Sequence, residues 1–125
     1  MKRVIETTNA PGAVGPYSQA IEANGVLYAS GQIGLDPETK VAPEGTEAQT
    51  HQVLKNIKGL LEAAGYTLND VVKTTVLLDN IEDFAAMNAI YATYFVDNKP
   101  ARSTYEVARL PLGMKIEIEV IATKV

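Results

Sequence analysis

The chain has 125 residues, 46% hydrophobic and 21% charged, which fits a single globular domain over residues 1–125 that needs no covalent staples. Its net charge of −4, with no cluster of Lys and Arg, argues against nucleic acid or an anionic membrane as partner. Cysteine is absent, which excludes disulfides, thiol nucleophiles and thiolate metal sites.

Residues 3–7 read as an edge strand. Behind Lys2 and Arg3 there is no long apolar run, so neither a signal peptide nor a bilayer-length segment is expected, and the cytoplasm is the default compartment. Gly15-Pro16-Tyr17-Ser18 reads as a turn entering a strand at 18–23. Asn24-Gly25 then signals a tight hairpin into a second strand at 26–32. Residues 34–45, with Asp36-Pro37 and Pro43, read as an irregular connection.

A helix is expected over 46–64. Val53, Leu54, Ile57, Leu60, Leu61 and Ala64 fall on one face of a 3.6-residue period. Thr46 and Gln49 suggest a capping box at its start, and Gly65 suits the left-handed position after its end. Residues 71–78 are β-branched and read as a strand. A second helix is expected over 81–95, with Asn80 as its N-cap and Phe84, Met87, Tyr91, Tyr94 and Phe95 on its core side. Strands at 101–107 and 115–123 complete the order β-β-β-α-β-α-β-β. The central β-α-β-α-β run favours parallel neighbours, and the opening hairpin adds antiparallel pairing. The expected architecture is α+β, a mixed sheet with two helices on one face.

That leaves one face of the sheet without helices. In the last strand Ile116, Ile118, Val120 and Ala122 face the helices, while Glu117, Glu119 and Ile121 point away. Simple alternation groups Leu27, Ala29 and Gly31 on one side, and Val26, Tyr28, Ser30 and Gln32 on the other. The open face is therefore semi-apolar and rich in small residues, a surface on which further copies of the chain are expected to dock.

Few residues stand out for chemistry. His51 is the one histidine, placed on the polar side of its helix, so neither a zinc site nor a Ser-His-Asp triad is indicated. Arg102 opens a strand after Pro100-Ala101, and its planar fork suits a carboxylate held by two hydrogen bonds. Glu117 lies on the open face, where partial burial would raise its pKa and suit it to proton transfer. Tyr17 offers a hydroxyl, and Ser30-Gly31-Gln32 permits close backbone approach. Asn88 reads as a solvated helix residue.

Five segments lie in register along nearly the whole chain: Gly15-Pro16-Tyr17-Ser18-Gln19-Ala20, Ser30-Gly31-Gln32-Ile33, Pro100-Ala101-Arg102-Ser103, residues 106–111 and residues 116–122. With Phe84, Asn88, Tyr91 and Tyr94-Phe95, they resemble the reactive intermediate deaminases of the RidA (YjgF) type. The resemblance implies a chorismate-mutase-like homotrimer with clefts between subunits. It also implies hydrolysis of 2-aminoacrylate, 2-iminobutanoate and similar acids to 2-oxo acids and ammonia, without metal or organic cofactor. Position by position, Arg102 looks like the grip on the substrate carboxylate and Glu117 like the group that orients or activates water. Tyr17, Ser30, Gly31 and Asn88 look like pocket-lining residues. The alternative is a non-catalytic regulator that binds 2-oxo acids or similar small carboxylates in the same cleft. A nuclease reading fits poorly with the acidic charge and the lack of a basic stripe. Two places depart from the family pattern: Thr104 stands where Cys is common, and Leu112-Gly113-Met114 replaces a more polar loop.

Overall fold

The computed structural model describes residues 2–124. Its strands are β1 (Lys2–Ile5), β2 (Ala20–Ala23), β3 (Val26–Ile33), β4 (Val71–Leu78), β5 (Ala101–Glu106) and β6 (Ile116–Thr123). They form one sheet in the order β1-β2-β3-β6-β4-β5. Helix α1 (Thr46–Ala64) packs on β3 and β6, and helix α2 (Phe84–Tyr94) packs beside α1. The mixed α+β architecture and the element order are those expected, and β4 has the expected bounds.

The pairing is more interleaved than expected. β4 and β5 are parallel neighbours, as a β-α-β unit should be. β3 and β4 are not neighbours, because β6 enters between them and runs antiparallel to both. This long-range insertion puts the most regular apolar strand at the centre. Ile116, Ile118, Val120 and Ala122 are all buried beneath the helices. The six apolar residues of the α1 stripe are buried too. Each of the isoleucine, leucine and valine side chains among them contributes about 1.5–3 kcal/mol by leaving water.

Both ends of α1 are settled by tertiary partners. The expected Thr46–Gln49 capping box does not form. Gly45, at φ 92°, takes the N-cap position, and no side chain caps the helix there. Gln49 is instead buried. Its amide donates to the Pro43 carbonyl (3.1 Å), and its Oε1 accepts the Lys115 N–H (2.8 Å). At the other end Gly65 is left-handed, as expected, and Tyr66 N–H closes onto the Leu61 carbonyl at 2.8 Å. The Arg3 guanidinium adds a bond to the Ala64 carbonyl (2.8 Å) while pairing with Glu22 (3.1 Å). Glu22 also accepts the Tyr66 hydroxyl. The Arg3 bond, then the Tyr66 bond, holds the Glu22 carboxyl below the usual range. Burial, followed by the Glu22 bond, pushes the Tyr66 phenol up to about 12. This clasp ties β1 and β2 to the end of α1.

Other element ends differ from expectation for identifiable reasons. β1 stops at Ile5 rather than 7 because the Thr7 N–H and carbonyl both bond the Gln19 side chain. β2 starts at Ala20 rather than 18, after that same glutamine. The second helix begins at Phe84, because Ile81–Asp83 form a 3-10 turn in which Asn80 accepts the Glu82 N–H. Asn24 and Gly25, both with positive φ, make the expected hairpin turn.

Replacing Ile118, fully buried in the central strand, with Ala should cost about 2–5 kcal/mol. Urea denaturation at fixed protein concentration measures it.

Candidate active site

The site is set by a one-residue insertion in β3. Ala29 pairs with Val120 and Gln32 with Ile118, so Ser30 and Gly31 together oppose the single residue Glu119. This bulge corrects the alternation expected from sequence. Gln32 turns inward and is buried, and Gly31 moves to the open face beside Glu117. A Cβ at position 31 would meet the Glu117 carboxyl, so any side chain there would push that carboxyl out of its place.

Around that contact lies a cavity of about 650 Å³, lined by Tyr17, Ser30, Gly31, Glu117 and Glu119 at its polar end. Four of the expected site residues therefore share one concavity. The Glu117 carboxyl makes no hydrogen bond among the described residues. Its pKa is raised, by burial first and by the Glu119 charge second. The Ser30 hydroxyl donates to the Ser18 carbonyl (2.6 Å), which leaves its lone pairs free to accept from a ligand. Tyr17 is half exposed at the rim.

The chain before β2 forms one wall of this cavity. Gln19, which is buried, acts as its clamp. Its Nε2 donates to the carbonyls of Thr7 (3.0 Å), Ala10 (3.3 Å) and Pro11 (2.9 Å), and its Oε1 accepts the Thr7 N–H (2.8 Å). Sequence reasoning missed this role, since a glutamine before a strand carries no local mark of it. A wider groove of about 760 Å³ on the far side of the same segment shares Gly12, Tyr17 and Gln19, but it contains none of Ser30, Gly31 and Glu117.

Arg102 and Asn88 are not in that cavity. Arg102 pairs in register with Thr74, whose hydroxyl hydrogen-bonds Tyr91 of α2, so both face the helices. Arg102 Nη1 donates to Asn88 Oδ1 at 2.7 Å. The guanidinium lies 4.7 Å from the Tyr91 ring centroid and 5.4 Å from that of Phe84. Phe84, Asn88 and Tyr91 follow an i, i+4, i+7 spacing on one helix face, a signal that could have revealed this cradle in the sequence. Asn88 is exposed, as expected, and its amide oxygen also accepts from the Arg102 guanidinium. Within one chain Arg102 and Glu117 leave opposite faces of the sheet. The chain thus holds a carboxyl in a cup on one face and, on the other, a guanidinium on an aromatic cradle near the β5 edge.

The remaining sequence candidates fall elsewhere. His51 is exposed, but it is not free: its Nδ1 lies 3.1 Å from the Tyr94 hydroxyl, with the rings packed edge to face. Thr104 lies two residues beyond Arg102, and its Oγ1 is buried without a hydrogen-bond partner. Among the described residues, no group of three or more His, Asp or Glu side chains could hold a metal ion. No described helix is long and apolar enough to cross a membrane.

Removing the clamp with Gln19→Ala should cost about 1–3 kcal/mol, because carbonyls at Ala10 and Pro11 lose a buried donor. The Thr7 amide should exchange with solvent markedly faster, which hydrogen exchange by NMR reads directly.

Comparison with known proteins agrees with the fold and with the motifs. The sequence matches the endoribonuclease L-PSP family over residues 7–124. It is 57% identical to a RutC family protein of Pyrococcus horikoshii, over 99% of both chains. It is 50% identical to the 2-iminobutanoate/2-iminopropanoate deaminase of Mus musculus, over 99% of this chain and 93% of that one. The crystal structure of E. coli TdcF with bound serine superposes with a TM-score of 0.95 at 39% identity, covering 98% of this chain and 99% of that one. With a full-length match of this kind, and with the motif residues standing where the fold needs them, the chain belongs to the endoribonuclease L-PSP family, the RidA/YjgF proteins that its sequence resembles.

Proposed function

We infer that the protein is a 2-iminobutanoate/2-iminopropanoate-type deaminase. It hydrolyses reactive 2-imino acids, and the enamines that tautomerise to them, to 2-oxo acids and ammonia. The observation that carries this reading is the unpartnered Glu117 carboxyl, raised in pKa and held at the floor of a cavity beside Ser30 and Gly31. A relative of known name and 50% identity acts as such a deaminase, and a TdcF neighbour is described with a bound amino acid, which carries a carboxylate.

The chemistry follows from the groups present. The imine carbon C2 is electrophilic and planar. Arg102, pre-oriented by Asn88, takes the substrate carboxylate through two N–H donors. The Ser30 lone pairs accept from the imine N–H. Glu117 takes a proton from water as the oxygen attacks C2 of the protonated imine, giving a neutral tetrahedral amino alcohol. The same carboxyl returns that proton to nitrogen and then takes the hydroxyl proton as the C–N bond breaks, releasing ammonia and the 2-oxo acid. A carboxyl with a raised pKa serves both steps better than a fully acidic one. A general acid–base of this kind contributes about 10²–10⁴-fold. A regulator that only binds 2-oxo acids would use the same guanidinium but has no need of Glu117 in this state. A nuclease would need a polyanion-binding surface, whereas this cavity ends in two glutamates.

Read as one site, the Glu117 cup and the Arg102 cradle require more than one copy. In our reading the β5 edge of one subunit, with Arg102 and Asn88, meets the Glu117 cup of the next. Such a head-to-tail contact closes as a ring in our reading, and the family resemblance supports a chorismate-mutase-like homotrimer as that ring. The open sheet face, with Tyr28 and Tyr105 exposed, is the surface that assembly covers. Each subunit is then a single domain working in the cytoplasm.

Arg102→Ala should abolish deamination while leaving the assembly intact, as followed by imine disappearance and sedimentation. Glu117→Gln should lose about 10²–10⁴-fold. Mixing the two inactive variants and letting subunits reassort should restore about a quarter of wild-type activity, the random-assortment result for a head-to-tail ring. No restoration would place each site within one chain.

The acid limb of the wild-type pH–rate profile should lie above the ordinary carboxylate range, since activity needs ionised Glu117. Ionising a carboxyl whose folded pKa is raised disfavours the fold at pH values above its unfolded pKa. Glu117→Gln should therefore melt no lower than wild type at pH 7, and scanning calorimetry checks this.

A further inference from the structure

The mouth of the Glu117 cavity exposes apolar side chains in a way that local structure does not demand. Val14 is 94% exposed and Leu112 is 74% exposed, and both line the cavity. Ile33, Leu35 and Pro111 continue the apolar wall behind them. Leu112 also sits at φ 58°, ψ 23°, a left-handed conformation disfavoured for an L residue with a bulky side chain. Asn24 and Lys40 are the other non-glycine positive-φ residues described, and both are polar. Glycine at 112 would suit the backbone better, as Gly113 does at φ 65° next to it.

The wall is rigid. Gln19 fixes the segment leading to Val14 through Thr7, Ala10 and Pro11. Buried Asn56 donates to the carbonyls of Ile33 (3.1 Å) and Leu35 (2.8 Å). Buried Leu110 and Met114 anchor the two ends of the Leu112 turn. Strained backbone and exposed apolar surface, held rigidly at one cavity, mark a place where a ligand completes the packing.

We propose that Leu112 and Val14 form a lip that receives the substrate's side chain, so that the protein prefers 2-imino acids with aliphatic side chains longer than ethyl. The inference rests on the deaminase reading and deepens it. C2 of a bound imine has three substituents. Its carboxylate is taken by Arg102 and its nitrogen by Ser30 and Glu117, so its side chain takes the remaining direction, toward the apolar wall. A methyl group leaves that wall wet; a longer chain covers it.

The test uses imines released in place by an amino-acid oxidase from alanine and from leucine, with hydrolysis followed by loss of the trapped semicarbazone. Wild type should favour the leucine-derived imine by roughly tenfold or more in kcat/KM, the scale for filling an apolar pocket. Leu112→Gly relieves the left-handed strain, so folding is not at risk, and it should lower that ratio about tenfold. Leu112→Met should restore most of it. An unchanged ratio in Leu112→Gly overturns the lip and leaves the deaminase reading standing. A changed ratio accompanied by altered sedimentation makes Leu112 an interface residue and also overturns it. No acceleration of either imine by wild type overturns the deaminase reading and the lip together.

Discussion

One extra residue in β3, set against β6, decides where the carboxyl of Glu117 can stand. Without it Gly31 would face the helices and Gln32 would face outward, as plain alternation requires. With it Gly31, the one glycine of β3, comes to rest beside Glu117. The bulge thus opens space for the carboxyl and turns Gln32 into the core. Ser30, which alternation already places on the open face, borders the cavity with its hydroxyl committed to Ser18. The cup is a consequence of strand register before it is a consequence of any one functional side chain.

The Arg102 cradle obeys a different constraint. Arg102 belongs to an edge strand, and its long side chain lies over Phe84 and Tyr91 with Asn88 at its tip. The aromatic rings and the amide restrict the guanidinium before any ligand arrives, so less rotamer freedom is lost on binding. Within one chain the cup and the cradle stand on opposite faces of the sheet, each with its own supporting contacts.

Much of this was legible in the residues. The α1 stripe, the β4 span, the Asn24-Gly25 hairpin and the inward isoleucines of β6 follow from periodicity and turn chemistry, which act over a few residues. What was not legible depends on distant partners. Gln49 forms no capping box because the Lys115 N–H, far along the chain, takes its oxygen. β6 slips between β3 and β4, a pairing that no local pattern specifies. The bulge appears only when two strands are laid side by side. Gln19 clamps three carbonyls that the sequence does not mark as unsatisfied. The site residues were recognisable as types, but their division between two faces was not.

The Arg3–Glu22–Tyr66 clasp has an optical consequence. The chain has no tryptophan, so its near-ultraviolet absorbance comes chiefly from phenols. Once the Tyr66 hydroxyl loses its proton, a phenolate stands against the Glu22 carboxylate, and the corner joining β1 to α1 is pushed apart. With the folded phenol at about 12 and the unfolded one near 10, that corner holds its full strength below about pH 10 and surrenders it between the two values. A late step in the alkaline spectrum would therefore report the loosening of one named corner of the fold.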